Sequence, residues 1–150
     1  MISSVDLRNA IARLIKDRAG LPLRVYFNQV LDAEEDYAFV QFRPERTDEG
    51  LYYFQRRLVI DIQVVLSPLE AVVKHSELLD IADSLDRATH GYIEVADRKI
   101  TVYKTTAHIF DDVLNFSFAL DFTDYIESVP EELEQYETMQ NLHLAKKREE

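Results

Sequence analysis

The residues able to do chemistry are few, and their spacing argues against most active sites. The four histidines, His75, His90, His108 and His143, never stand three or four residues apart, so no helical metal-binding pair exists. Cysteine is absent, which removes thiolate metal sites, disulfides and thiol nucleophiles. No G-x-S-x-G elbow occurs. The only glycines are Gly20, Gly50 and Gly91, too dispersed to cradle a phosphate. One pattern keeps an enzymatic reading open. Asp97-Arg98-Lys99 has the D-x-K spacing of a class of Mg²⁺-dependent nucleases, in which carboxylates hold the metal and a lysine positions the attacking water. The four-residue stretch that holds them, "ADRK" (96–99), is also ordinary hairpin-turn chemistry. Asp111-Asp112 reads as a solvated turn and "DAEED" (32–36) as an exposed acidic loop.

The balance of charge weighs on that alternative. At 150 residues the chain fits one domain, and its 47% hydrophobic content suffices for a core. The formal net charge is −11. A surface this acidic repels phosphate backbones and anionic lipids, which opposes a nuclease working on DNA. The opening "MISSVDLRNAIARL" gains charges too early for a signal peptide, and no apolar run approaches the ~20 residues of a membrane span. The expectation is a soluble, intracellular-type acidic domain.

The elements that would position these residues follow from periodicity. Ser3 or Ser4 caps a first helix with Leu7, Ile11, Leu14 and Ile15 on one face, closed by Gly20 and Pro22. Short strands are expected at 23–27 and 37–42, with "RPERTDEG" turning the chain into a long strand ending near Ser67. The start of that strand is open, because "LYYF" fits either loop or strand. Ser67, Pro68 and Glu70 form a helix-start signature, and Gly91 marks the end. Ala71, His75, Leu78, Ala82 and Leu85 form that helix's inward stripe, making His75 a hydrogen-bonded core or edge histidine, with Asp83 and Arg87 paired outside. A hairpin through "ADRK" and a strand over "VLNFSFALDFTDYI" follow. Ser128 onward reads as a C-terminal helix whose apolar residues hold no single stripe, acidic at its head and basic at Lys146, Lys147 and Arg148. The expected fold is α+β: a single mostly antiparallel sheet with helices on one face, spanning residues 1–127, plus a helical extension over 128–150.

Two features exceed what a plain core requires. One strand face is expected to gather Arg56, Arg57, Asp61 and Gln63 with Asn115, Ser117 and Asp121, either as a solvated face or as a surface meeting another subunit. Tyr52, Tyr53, Phe54 and Phe110 supply aromatics beside loops, and together would make a protein-contact patch. A protein-binding adaptor that uses this sheet face is the third reading.

The order of the pieces resembles a known family. "DLRNAIARLIKD", "YAFVQF", "YYFQRRLVIDIQVV", "SELLDIADSLDRA" and "IEVADRKITVYKTTAHIFDDVLNFSFALDF" look like the tail terminator (tail completion) proteins of long-tailed bacteriophages and phage-like elements, over roughly residues 5–125. The resemblance rests on an aromatic-plus-arginine entry to a "DI" strand, an "I.V.DR.I" hairpin and a "D.VLNF.F" final strand. It implies a small α+β subunit that forms a ring, usually hexameric, on the last ring of tail-tube protein. Such a ring stops tube growth and offers the joining surface to head or neck proteins. It implies no cofactor, metal or catalysis, and a place in the virion tail after assembly in the host bacterial cytoplasm. DNA would pass the ring without specific binding, and no membrane is involved. The contact residues would be Tyr52, Tyr53, Phe54, Arg56, Arg57, Asp61, Gln63, Asn115, Ser117 and Asp121.

Overall fold

The computed structural model describes residues 2–28, 35–67 and 71–125. Among these, helix α1 (Ser4–Arg13) is followed by strands β1 (Arg24–Tyr26), β2 (Tyr37–Asp48) and β3 (Tyr53–Val65). Helix α2 (Ala71–Ala88) then leads to β4 (Gly91–Val95), β5 (Arg98–Phe110) and β6 (Val113–Tyr125). The six strands form one sheet in the order β1-β2-β3-β6-β5-β4, antiparallel except for the β1–β2 pair. This is the expected α+β architecture. The C-terminal helix expected from Ser128 lies outside the described residues.

Each element has a local cause. Ser3 caps α1 in a full capping box: its hydroxyl accepts the Asp6 N–H at 3.1 Å, while Asp6 Oδ2 accepts the Ser3 N–H at 2.9 Å. Leu7, Ala10 and Ile11 are buried, as are Leu14 and Ile15 in a π-helical turn (Leu14–Arg18) that extends the helix. There the Ala19 N–H reaches back to the Leu14 carbonyl and the Leu21 N–H to that of Ile15, around Gly20 at φ +66°. The apolar sides of β3 and β6 (Leu58, Ile60, Ile62, Val64; Leu114, Phe116, Phe118, Leu120, Phe122) complete the core, with Leu78, Ala82, Leu85 and Ala88 of α2.

Four local expectations change. "RPERTD" is not a turn: β2 runs on through it, in register with β3 as far as Asp48 opposite Phe54. Pro44 is tolerated because β1 pairs only with Tyr37, Ala38 and Phe39, and among the described residues the rest of β2 is a sheet edge where a missing N–H breaks no ladder. His75 is exposed, whereas Leu78, Ala82 and Leu85 of the expected inward stripe are buried and Ala88 continues it. Arg87 bonds the Ser84 hydroxyl at 3.4 Å in place of Asp83. Arg98 and Lys99 belong to β5, and the β4–β5 turn is Ala96 (φ +55°) and Asp97 alone. The Ser67-Pro68-Glu70 signature falls mostly outside the described residues; Ser67 itself donates its N–H to Asp36 Oδ1 at 2.6 Å.

Candidate subunit-contact surface

With the helices on one side, no described element covers the other side of the sheet. The registers arrange that uncovered face in rows. Gln41, Asp61, Ser117 and Thr106 stand abreast across four strands, and Phe39, Gln63, Asn115 and His108 form the next row. Beyond these come Tyr37, Val65, Val113 and Phe110 at one end. Toward the other end lie Arg43–Val59–Ala119, Glu45–Arg57–Asp121 and Thr47–Gln55–Thr123, with Tyr53 opposite Tyr125 last. Alternation in β3 and β6 is the cause: a period of two puts every second residue here once the other half is core.

The centre of the face is a fixed polar group. Asp61 accepts from Arg43 Nε at 3.0 Å and from the Ser117 hydroxyl, tying β2, β3 and β6 together through one carboxylate. Thr123 donates to Gln55 Oε1 at 2.9 Å one strand away. Gln63 and Asn115 are half-buried, while Arg57 and Asp121 are exposed. Among the described residues Arg57 makes no ion pair, although Glu45 and Asp121 flank it across the strands. Such a face can set the orientation of a packed partner through its mixed charges, and it offers aromatic area at both ends. Tyr52 and Tyr53 are exposed at the hairpin between β2 and β3, as are Tyr125 and Phe110.

Two residues expected on this surface lie on the core side. Phe54 is 5% exposed and buried. Arg56 shares its side of β3 with Leu58 and Ile60, and its guanidinium is spent on an internal cluster. Its Nη1 donates to the Ile2 carbonyl at 2.8 Å and lies 3.5 Å from Asp124 Oδ2. Asp124 is 1% exposed, accepts the Ile2 N–H at 2.9 Å, and has Arg98 at 3.8 Å. The Phe122 ring lies under both guanidinium groups, 5.6 Å from Arg56 and 5.2 Å from Arg98. This pins the chain's start to the end of the sheet. The expected strand already ran past Asp124, and strict alternation from Leu114 makes Asp124 the next inward position after Phe122.

The residues considered for catalysis do not converge. Asp97 is in the two-residue turn, and Lys99 pairs with Glu94 across β4 with its ammonium 5.1 Å from the Tyr92 ring. Asp111 and Asp112 both have positive φ (49° and 59°), the backbone of a tight hairpin turn. Among the described residues no three His, Cys, Asp or Glu side chains gather to hold a metal. No described helix is long and apolar enough to cross a membrane.

Residues 6–132 match the family described as phage tail terminator protein. The chain belongs to this family. The match covers the sheet, its uncovered face, α2 and all of α1 but its first two residues. The family is one of structural tail components, and its members work by meeting other parts of the phage tail and head. No curated protein matches the chain.

Proposed function

We propose that the chain forms a closed ring of identical copies, a hexamer, at the end of the tail tube. The ring ends tube growth and presents the surface that head or neck proteins join. The observation that carries this reading is the uncovered sheet face, in which ordered polar rows around Asp61 lie between aromatic ends within a tail terminator chain. A ring closes through two different patches of one protein, and mixed-sign polar rows with aromatic flanks supply register and contact area.

Tyr52, Tyr53, Arg57, Asp61, Gln63, Asn115, Ser117 and Asp121 make the contacts to the next subunit or to the tube. Phe54 and Arg56 support them from the core side. The body is residues 1–127, with 128–150 as an extension used in assembly. The bore, with a chain charge of −11 behind it, lets DNA pass without adhering. No cofactor takes part and no reaction is catalysed; the subunit assembles in the host cytoplasm and stays in the virion tail.

The test is genetic and visual. Deleting the gene from its phage or prophage gives abnormally long tails lacking heads, and the purified protein added to isolated tubes gives six-fold rings at one end in micrographs. Tails of normal length in the deletion mutant refute the proposal.

A further inference from the structure

The two edges of the sheet carry unpaired charge of opposite sign. At one edge, a groove of about 330 Å³ between α1 with its π-helical turn and β4 is lined by Arg13, Arg18, Asp17 and Glu94, with Leu14 and Ile93 among its apolar walls. Arg18 donates to the Tyr92 carbonyl at 2.6 Å, and its guanidinium lies 5.2 Å from the Tyr92 ring. The Lys99 ammonium is 5.1 Å from the same ring. Arg13, Arg18 and Lys99 make no ion pair among the described residues, so three cations stand here against two carboxylates.

The opposite edge is β2, which beyond Phe39 has no outer neighbour among the described residues. Its cations are already neutralised: Arg43 pairs with Asp61 at 3.0 Å and Arg46 with Asp48 at 3.1 Å. Glu45 and, just past the strand, Glu49 are exposed and make no ion pair among the described residues. The unpaired charge is therefore negative at β2 and positive at β4.

Neither edge is open to a further strand. The Glu49 N–H bonds the Tyr53 carbonyl, so odd positions of β2 bond β3 and even positions point outward, Pro44 with its missing N–H among them. On β4, Arg18 already holds the Tyr92 carbonyl. What the edges offer is side chains. With β3, β6 and β5 between them, β2 and β4 lie roughly 19 Å apart at opposite margins, so one copy cannot join its own edges.

We propose that successive copies meet edge to edge, with Glu45 and Glu49 of one copy against Arg13, Arg18 and Lys99 of the next, which leaves the uncovered sheet face for the tube. The assignment rests on the ring reading: a head-to-tail ring needs two different, complementary patches on opposite sides of one subunit.

The absence of cysteine makes the test direct. Glu45→Cys with Lys99→Cys in one chain is assembled on isolated tubes and oxidised. A covalent series from dimer to hexamer is expected on non-reducing gels, and neither single variant should give a dimer. In a second arm, Glu45→Lys with Glu49→Lys lowers ring assembly by about tenfold or more. Adding Arg13→Glu with Lys99→Glu to the same chain restores it, with Arg18 left on Tyr92. A dimer from either single variant overturns the edge contact, because like edges then meet. A series from Gln63→Cys with Lys99→Cys in its place also overturns it, since the sheet face then meets the neighbour. So does a charge swap that restores nothing in a chain of unchanged unfolding midpoint. Rings imaged with no covalent series defeat the edge contact and leave the ring standing; the absence of rings from the unsubstituted protein defeats the ring reading itself.

Discussion

Asp124 shows what a single residue decides. Its buried carboxylate holds the Ile2 N–H and faces two arginines, so removing it leaves Arg56 without its anion in a site only 17% exposed. Asp124→Ala should cost about 3–5 kcal/mol, read from urea unfolding followed by circular dichroism. Asp61 is the contrasting case. It too is bonded from two sides, but it is 23% exposed and water can replace part of what is lost. Asp61→Asn should cost only about 1 kcal/mol. Asp6 carries a pH dependence. The Ser3 N–H, and then the Ser3 hydroxyl, hold its carboxyl below the ordinary aspartate value. A lowered folded pKa means the stabilising contribution is present above the unfolded value and is lost as pH falls through the folded one. Protection of the amides in the first turn of α1, relative to their intrinsic exchange rates, should therefore fall from about pH 4 downward, and Asp6→Asn should remove that dependence.

At the scale of the element, α2 and β2 carry the corrections. Of the expected α2 stripe Leu78, Ala82 and Leu85 are buried in the core, while His75, nearly a turn earlier, is exposed. Periodicity finds the apolar side of a helix, while how far along that side is covered depends on what packs against it. Leu78→Ala should cost about 2–5 kcal/mol and His75→Ala should stay within about 0.5 kcal/mol, both by thermal or urea unfolding. In β2 the charges and Pro44 of "RPERTD" read locally as turn chemistry. They are instead what an edge strand carries when its outer side must not pair with another chain.

For the whole molecule, the uncovered face should contribute little to folding and much to assembly. Arg57→Glu and Tyr53→Asp alter exposed positions and should each leave unfolding stability within about 0.5 kcal/mol. Each should reduce ring formation on tubes at least tenfold, as counted in micrographs or by native mass spectrometry. Unchanged assembly in both would move the contact away from this face. The polar rows also predict salt sensitivity: raising ionic strength from 0.1 to 1 M shortens the screening length from roughly 10 Å to 3 Å, and subunit association should slow accordingly.

The α+β class, the two strong amphipathic strands and the order of elements follow from local patterns: alternation in β3 and β6, the Ser3 cap of α1 and the Gly20 stop. These are properties of short windows, and short windows are what a sequence displays. The polar residues at 57, 61, 63, 115, 117 and 121 also follow from period two alone. Tertiary structure decided the rest. Asp61 and Ser117 are 56 residues apart and become partners only because β6 lies beside β3 in a given register. Arg56 faces inward by the same alternation as Leu58, but its meeting with Asp124 and the Ile2 carbonyl depends on the register that sets it opposite Phe122. Long-range pairing of strands sets which charges meet, and no window of the sequence contains both partners.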